Sequence, residues 1–384
     1  MKILFCNYEY PPLGGGGGVI NAQLAEELAK THDITVLTSQ AFGLEKEEIV
    51  NGVRLIRVPV FFRRQNAAAN FPSMLAYLPM GMAAGKKLLH KERFDIINTH
   101  FVLPTGPVGD KLASAFNIPN ILSVHGGDLY DPSKASSPHR HGFLRAWIRK
   151  LLHKADHVVG QSSNTVDNVH QYYDENLPVS KIPLGIQRPP ETQGCRESLG
   201  IPNEDIVLVT VGRLVARKAV DQLITMLKQL NNSKVHLIVI GSGPQQENLM
   251  SQAKELGVDK NIHFAGFVTD EEKFSLMKSA DMFTSTSQHE GFGLVYLEAM
   301  ALGLPVICYD FGGQTDFLTQ DKTGAVVPLN NLELFTQETK KLVDNPALLK
   351  EIGHANLENV KPYYIDQCAL QYEQLFEKYL KHSK

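Results

Sequence analysis

The feature of this sequence that most constrains its fold is an alternation of short apolar runs with amphipathic stretches, which occurs twice. Most runs are continuous and rich in Ile and Val, which is typical of strands buried on both faces of a parallel sheet. The stretches between them, such as 20–30 and 220–231, have helical periodicity. We predict strands at 2–7, 33–38, 95–99, 120–125, 156–161, 206–212, 235–241, 261–265, 281–285 and 305–309. Two such series predict an α/β protein with two doubly wound, Rossmann-like domains.

The length and one composition change place the domain boundary. The chain has 384 residues, which is too many for one typical core. Residues 183–194 are rich in Pro, Gly and polar side chains, as in a linker. We therefore predict domains at 1–185 and 186–364, with a ligand site in the cleft between them. Residues 365–381 are predicted to form a last helix.

The composition and net charge of the chain limit the classes of function that it can have. Hydrophobic content of 43% and charged content of 21% are typical of a globular protein. The net charge of −3 gives no attraction to nucleic acid. Cys6, Cys195, Cys308 and Cys368 are far apart, which favours reduced thiols over a disulfide or zinc framework. With no signal-peptide pattern at residue 1 and no apolar run near the roughly 20 residues of a membrane span, we expect a cytoplasmic protein.

A loop between two carboxylates, Glu290 and Glu298, carries the most functional information. It contains Gly-Phe-Gly, follows a predicted strand and leads into a predicted helix at 294–302. The backbone N–H groups of Phe292, Gly293 and Leu294 would form an anion site at the helix start. Such a turn between two acids suits a sugar nucleotide, since one acid can hold sugar hydroxyls and the other ribose hydroxyls. The glycines favour this interpretation over a pair of unrelated surface carboxylates.

A glycine-rich loop at 10–18 follows the first predicted strand and precedes the first predicted helix. Glycines such as Gly17 and Gly18 let the backbone approach a phosphate. The loop could equally be a mobile hinge, so it is a weak signal by itself. A dinucleotide site would also need an acid about 20 residues later, and the second predicted strand ends in Leu-Thr-Ser-Gln instead. A nicotinamide cofactor is therefore disfavoured.

Two cations follow the first predicted strand of the second domain. Arg213 and Lys218 are five residues apart just beyond the strand end, where a planar fork and a point charge can converge on one diphosphate. An exposed basic turn is the alternative, but the shared domain with Glu290 favours a phosphate site. Arg217 is expected to be solvated.

Other strand ends carry weaker signals. His125, followed by Gly-Gly-Asp128, could hydrogen-bond a sugar hydroxyl as a neutral imidazole or merely cap its strand, and the residues favour neither. Asp128 could cap the next segment or touch hydroxyls. Gly266 could offer backbone groups to a nucleobase, and the glycines at 312–313 permit close approach of a sugar or phosphate.

Residues 139–154 contain five Arg or Lys and no acid, with six apolar residues on one helical face: Phe143, Leu144, Trp147, Ile148, Leu151 and Leu152. Such a helix can lie on an anionic membrane, but a crossover helix must bury its apolar face on the sheet, and we favour that interpretation. An apolar-basic run at 59–64 leaves open a peripheral membrane contact through the first domain, at the inner face of the cell membrane.

Taken together and in this order, these motifs resemble those of the retaining glycosyltransferases of family 4. The resemblance rests on Glu290-X7-Glu298, on Gly-Arg-Leu at 212–214 with Lys218, on His125-Gly-Gly-Asp and on the first glycine-rich loop, and it covers nearly the whole chain. It implies the GT-B fold, in which two Rossmann-like domains face each other across a cleft. It also implies transfer of a hexose from a nucleotide-diphosphate sugar, with UDP and GDP both open, to a hydroxyl of a glycan, lipid-linked or small-molecule acceptor.

The resemblance implies a role for each matching residue in the second domain. Arg213 and Lys218 would hold the diphosphate and stabilise its charge as it leaves. Glu290 would bind hydroxyls of the donor sugar, and Glu298 the ribose. The amides around Gly293 and Leu294 would contact sugar and phosphate.

For the first domain, the resemblance implies that Gly17 and Gly18 approach the phosphate and that His125 contacts the transferred sugar. Acceptor contacts are expected at 61–77 and 128–141. The last helix, 365–381, is expected to pack back on this domain.

Two departures and one absence qualify the resemblance. Ala219 stands where the family often has glycine, which should cost little if that backbone is helical. Asp316 is the nearest acid where the family often has Glu after the late Gly-Gly pair. No Asp-X-Asp triplet occurs, so we expect neither a metal nor any cofactor beyond the sugar nucleotide. A sugar-nucleotide hydrolase or epimerase on the same fold is the alternative function.

Overall fold

The computed structural model describes residues 1–41, 43–60 and 71–381, with only the backbone at residue 71. It divides into two compact units: unit 1 comprises Met1–Gln187 and the chain from Tyr363 onwards, and unit 2 comprises Arg188–Pro362. Within the described residues, each unit has one sheet.

Unit 1 is built on an eight-stranded sheet in the order β3-β4-β2-β1-β5-β6-β7-β8. All neighbouring strands are parallel except β3 and β4, which are antiparallel. The strands are β1 (Lys2–Cys6), β2 (Asp33–Gln40), β3 (Glu47–Val50), β4 (Val53–Pro59), β5 (Ile96–His100), β6 (Asn120–Val124), β7 (His157–Gly160) and β8 (Val179–Lys181).

Helices cover both faces of this sheet, as its uninterrupted apolar strands require. They are α1 (Gly16–Leu28), α2 (Phe71–Leu89), α3 (Gly106–Phe116), α4 (Gly142–Lys154), α5 (Ser163–Tyr172) and α12 (Ile365–Lys381). Ile3 and Phe5 of β1 pack with α1 and α12, whereas Leu4 and Cys6 pack with α2 and α3. Side chains thus alternate between the two faces along one strand.

The last helix, α12, packs against α1 within unit 1. The hydroxyl of Tyr372 lies 2.9 Å from the Ser123 hydroxyl of β6. At the start of the helix, a Cβ on Gly185 would lie 2.6 Å from the Ile365 Cα. The first part of the segment predicted as a linker is therefore packed against this helix instead of being exposed.

Unit 2 is built on a six-stranded sheet in the order β11-β10-β9-β12-β13-β14, in which all neighbours are parallel. The strands are β9 (Ile206–Val211), β10 (Val235–Ile240), β11 (Ile262–Gly266), β12 (Met282–Ser285), β13 (Val306–Tyr309) and β14 (Gly324–Val327). The helices are α6 (Val220–Leu230), α7 (Gln246–Glu255), α8 (Asp270–Lys278), α9 (Leu294–Ala301), α10 (Leu332–Val343) and α11 (Pro346–Asn359). The strand order reverses between β9 and β12, where doubly wound sheets bind ligands at the strand carboxyl ends.

The α/β class and the parallel sheets are confirmed, and all ten predicted strands are present with small shifts at their ends. Four strands were not predicted: β3, β4, β8 and β14. The first helix begins at Gly16, so Gly17 and Gly18 lie in its first turn and not in a loop before it. Across the described residues, no helix is both long and apolar enough to cross a bilayer.

Candidate active site

In unit 2 the candidate site lies at the carboxyl ends of β9 and β12. These strands are neighbours in the sheet, so the turns that follow them meet. A short 3-10 turn, Ala216–Lys218, ends in the predicted cation. The Lys218 ammonium donates to the Glu290 carboxylate, and these side chains are only 15% and 12% exposed. Two residues singled out separately in the sequence therefore form one shielded ion pair.

Arg217 joins this pair, so the expectation that it is solvated was wrong. Its guanidinium donates to the backbone carbonyl of His289 at 2.7 Å and lies 3.8 Å from the second carboxylate oxygen of Glu290. The neighbouring Gln288 N–H donates to the carbonyl of Arg217 and fixes the same turn. Arg213 differs, because it is exposed and its guanidinium has no ionic or hydrogen-bond partner among the described residues.

The two cations govern the ionisation of Glu290. Burial alone would raise the pKa of its carboxyl, but the charges of Lys218 and Arg217 outweigh burial and hold that pKa below the ordinary value. Glu290 is therefore an anion at neutral pH and can only accept hydrogen bonds. Such a group can bind hydroxyls but cannot donate a proton.

Helix α9 begins where the Gly-Phe-Gly loop requires it. Gly293 caps the helix with a left-handed backbone, φ 93°, which a glycine adopts without strain. A Cβ there would lie 2.5 Å from the Tyr296 ring. The Phe292 side chain is 3% exposed and packs on Phe317, so of this residue only the backbone is available to a ligand. Leu294 is the first helical residue.

Glu298 faces a different cation. Its carboxylate accepts a hydrogen bond from the Lys273 ammonium at 3.1 Å, and that ammonium also lies 3.2 Å from Asp270. Burial raises the pKa of Glu298, and Lys273 only partly opposes this. Lys273 lies 25 residues away on α8, and no pattern in the sequence connects it to Glu298. The two acids of the motif thus occupy two distinct electrostatic environments.

Two more backbone segments approach the same sheet edge. Gly312 forms a bridge with Glu290, and the Gly313 N–H donates to the Glu290 carbonyl at 2.9 Å. The Gln314 amide is buried and donates to the Tyr309 carbonyl at 2.8 Å. Gly266, at the end of β11, has a left-handed backbone, and its carbonyl accepts from the Gly241 N–H.

In unit 1, His125 follows β6 and forms a pair that the sequence did not reveal. Its Nε2 lies 3.1 Å from the Nδ1 of His100, which ends the neighbouring strand β5. The His125 ring also packs on Phe101, with 4.2 Å between ring centroids. Burial lowers the pKa of His125 to about 4 and the pKa of His100 well below its usual value. Both imidazoles are neutral at pH 7, and the Nδ1 of His125 has no hydrogen-bond partner among the described residues.

Asp128 holds the loop that carries His125. Its carboxylate accepts from the backbone N–H groups of Val102 and His125, at 2.7 and 2.9 Å. Burial raises its pKa to about 6. Both donors precede Asp128 in the chain, so these bonds describe neither a cap of the next segment nor a contact with hydroxyls.

The glycines of the first loop differ in what surrounds them. A Cβ on Gly17 would lie 2.6 Å from the Phe101 ring, and one on Gly18 would lie 3.1 Å from the carbonyl of Leu13. A Cβ on Gly15 or Gly16 would meet nothing within 4 Å. Gly17 is therefore required by packing, whatever its role toward a ligand.

The expected absence of a metal ion and the expected membrane and acceptor contacts of the first domain stay predictions. Within the described part of the chain, no three His, Cys, Asp or Glu side chains are grouped as metal ligands would be. The apolar-basic run at 59–64 and the acceptor segment at 61–77 fall partly or largely on residues 61–70, which lie outside the described residues.

Comparison with known proteins assigns the family. The model described as Glycosyltransferase Family 4 matches residues 14–188, and the one described as Glycosyl transferases group 1 matches residues 192–358. An uncharacterized glycosyltransferase of Methanocaldococcus jannaschii is 30% identical over 352 residues, which are 86% of this chain and 86% of that protein. The chain belongs to glycosyltransferase family 4. The resemblance indicated by the motifs is thereby confirmed.

Solved structures agree with the fold of this glycosyltransferase. Sucrose-phosphate synthase from Thermosynechococcus elongatus matches with a TM-score of 0.85 at 22% identity, covering 100% of both chains. Anabaena HepE, in complex with UDP and glucose, matches with a TM-score of 0.78 at 20% identity, covering 98% of this chain and 100% of that one. The predicted GT-B fold is confirmed.

Proposed function

We propose that this glycosyltransferase moves a hexose from a nucleotide-diphosphate sugar to an acceptor hydroxyl, with retention at the anomeric carbon and without a metal ion. The observation that carries the proposal is the cationic turn at the switch point of unit 2. Lys218 and Arg217 already face one carboxylate there, while the exposed Arg213 has no anionic partner among the described residues. A donor diphosphate supplies the missing anion.

Each charged group then has a defined role in binding the donor. Arg213 binds the diphosphate through its planar fork, and Lys218 shares its three N–H donors between the diphosphate and Glu290. The anionic Glu290 accepts hydrogen bonds from hydroxyls of the donor sugar. Glu298, held by Lys273, accepts from the ribose. The amides of Gly293 and Leu294, at the positive end of α9, face developing negative charge.

The reaction breaks the bond between the anomeric carbon and the diphosphate oxygen, and the electron pair leaves with the diphosphate. The acceptor oxygen bonds to the anomeric carbon on the same face, and its proton passes to the departing phosphate. Negative charge therefore grows next to Arg213 and Lys218 in the transition state. Prearranged cations and helix amides lower the barrier because they need no reorganisation at that moment. This is the role that a divalent ion would otherwise have.

His125 serves the transferred sugar in this proposal. A neutral imidazole can donate or accept a hydrogen bond without adding a charge near the anomeric carbon. The low pKa of His125, about 4, supports this role. Because the proton leaves with the phosphate, no side chain is assigned as a base.

The donor and acceptor are proposed only as classes. HepE of Anabaena binds UDP and UDP-glucose, which supports a nucleoside diphosphate in the same position here, with UDP and GDP both open. The acceptor is a hydroxyl of a glycan, a lipid-linked sugar or a small molecule. The cytoplasmic location expected from the cysteines is consistent with a cytoplasmic sugar nucleotide.

The test is the stereochemistry of the product in the presence of EDTA. The full chain is incubated with UDP- and GDP-hexoses and a panel of glycan and lipid-linked acceptors, and proton NMR follows the anomeric signal from the first turnovers. Transfer that keeps the donor's α configuration and survives EDTA supports the proposal. Inverted product, or loss of turnover with EDTA and recovery with Mg²⁺, overturns the corresponding part. Full-rate release of free sugar without acceptor would favour the hydrolase instead.

A further inference from the structure

An apolar groove in unit 1 lies between α2, α3 and α4 and contains none of the candidate active-site residues. Its volume is about 320 Å³. Five apolar residues line it: Leu78, Met82, Pro107, Trp147 and Leu151. Asp110, Lys111, Lys150 and Lys154 are its polar lining. We call this groove and the adjacent exposed face of α4 the α2/α4 surface.

An aromatic side chain extends this surface beyond the groove. Phe143 was expected on the packed face of α4, but it is 79% exposed, while Ile148, Leu151 and Leu152 are buried as expected. Its ring lies 6.3 Å from that of Trp147, one turn further along the helix. The pair continues the apolar lining of the groove to the surface. An apolar groove that continues into an exposed phenyl ring forms one contiguous apolar patch, which is typical of a binding surface.

The charge around the groove is positive. Helix α4 has no acid. Two of its cations are neutralised from outside, Arg149 by Asp174 and Lys154 by Asp110. The remaining cations in the lining of the groove, Lys150 on α4 and Lys111 on α3, have no ion-pair partner among the described residues. In a chain with a net charge of −3, this is a local excess of positive charge.

We propose that the α2/α4 surface docks on a bilayer that contains anionic phospholipids. Phe143 and Trp147 enter the interfacial layer, where amphipathic aromatic rings are preferred, and the groove accepts the upper part of an acyl chain. Lys111 and Lys150 contact the lipid phosphates, with their stems along the apolar surface. The positive charge would attract either an anionic bilayer or an acidic protein face. The apolar groove between the cations favours the bilayer, because the groove can accept an acyl chain.

The chain carries its own probe for this contact, since Trp147 is its only tryptophan. All tryptophan emission therefore reports on the α2/α4 surface. The proposal predicts that vesicles of phosphatidylcholine with phosphatidylglycerol shift the emission to shorter wavelength, and that bromine atoms on the upper acyl chain quench it. Vesicles of phosphatidylcholine alone should do neither. Unchanged emission and no co-sedimentation with the anionic vesicles at low salt would overturn the proposal.

Two variants with matched controls test the residues. Phe143→Ala should weaken vesicle binding about tenfold through lost apolar burial, and Lys150→Glu at least about fivefold through lost charge. The controls are Ile49→Ala, a 75% exposed apolar residue, and Lys350→Glu, an exposed lysine of unit 2. All four side chains are exposed, so thermal unfolding should show intact folds. Equal binding by the test and control variants would overturn the proposal. Binding of an acidic protein but of no vesicle would overturn it as well.

Discussion

The two sheets of this glycosyltransferase carry different polar chemistry at their carboxyl-end edges. In unit 2 the side chains are charged and paired, as Lys218 is with Glu290 and Lys273 with Glu298. In unit 1 the corresponding edge carries two neutral histidines, His100 and His125, buried against aromatic rings. Both sheets reverse their strand order next to these residues, so the difference comes from the side chains and not from the topology.

This contrast matches two different demands of glycosyl transfer. In the proposed reaction a departing diphosphate gains negative charge, which fixed cations stabilise. A sugar must also be oriented by hydrogen bonds, and a neutral imidazole can supply one without adding a further charge near the anomeric carbon. The contrast predicts that substitutions in unit 2 change the barrier through charge, whereas unit 1 responds to pH through the cost of charging a buried imidazole.

The largest expected effect is on turnover. Arg213→Ala and Lys218→Ala should each lower kcat about 10²–10³-fold, as removal of one charge-stabilising donor does in other enzymes. Lys254→Ala, an exposed lysine on α7, is the matched control and should keep wild-type turnover. Steady-state kinetics with the accepted donor measures this. Wild-type turnover in either folded variant would remove the assignment.

The second prediction distinguishes Lys218 from Arg213 by their effects on the free energy of unfolding. Lys218→Met leaves the shielded Glu290 carboxylate with Arg217, 3.8 Å away, as its one ionic partner among the described residues, and should cost about 3 kcal/mol of unfolding free energy. The double variant Lys218→Met with Glu290→Gln should recover most of that loss, because no unpaired charge remains. Arg213→Ala should cost almost nothing. Urea unfolding gives the three values, and a double variant no more stable than the single one would contradict the pair.

The third effect is the acid sensitivity of unit 1. The pKa of His125 is about 4 in the fold against about 6.5 unfolded. Its stability contribution is therefore full above pH 6.5 and is lost as the pH falls toward 4, by about 2 kcal/mol between pH 7 and 5. Burial raises the pKa of Asp128 to about 6, so protonation of Asp128 stabilises the fold as the pH falls. This gain is about 1 kcal/mol between pH 7 and 5.

His125→Asn isolates the histidine's share, since Asp128 and His100 remain in both proteins. The wild type should lose about 2 kcal/mol more than the variant between pH 7 and 5, measured by hydrogen exchange of the β5 and β6 amides. Parallel pH profiles for the two proteins would show that the imidazole is not kept neutral by burial.

The smallest effect concerns the backbone beside Lys218. Ala219 has a left-handed backbone, φ 46° and ψ 39°, so the condition under which this alanine was expected to cost little, a helical backbone, is not met. Ala219→Gly should stabilise the protein by about 1 kcal/mol, because the left-handed region disfavours a Cβ by that order. Ala216→Gly, in the right-handed turn just before it, should instead be neutral or destabilising. Thermal unfolding distinguishes them, and equal shifts would contradict the strain.

The parts of the fold that the sequence predicted are those that bury continuous apolar runs. Three of the strands it missed, β3, β8 and β14, lie at sheet edges and have only three or four residues. The fourth, β4, has seven residues, but two arginines interrupt its apolar run. The β3–β4 hairpin did carry a signal, the Asn51-Gly52 dipeptide. Both residues have positive φ, as the tight hairpin turn requires.

The candidate site was predicted as a set of separate motifs, but its pairings were not. Glu290 and Lys218 are 72 residues apart, and only the adjacency of β9 and β12 brings them together. The same holds for Glu298 with Lys273 and for His125 with His100. Arg217 looked solvated because sequence spacing contains no information about the direction of a side chain in a turn.

Nucleotide binding by unit 2 tests the central claim most directly. Thermal unfolding of the full chain is measured with UDP, GDP and ADP in EDTA, for the wild type, Arg213→Ala and Lys254→Ala. At 100 times its Kd, the correct nucleotide should add about 2.7 kcal/mol to the wild type and the lysine control. It should add much less to Arg213→Ala. Stabilisation of none of the folded proteins by any nucleotide, or equal stabilisation of all three, would contradict the assignment of this edge as the diphosphate site.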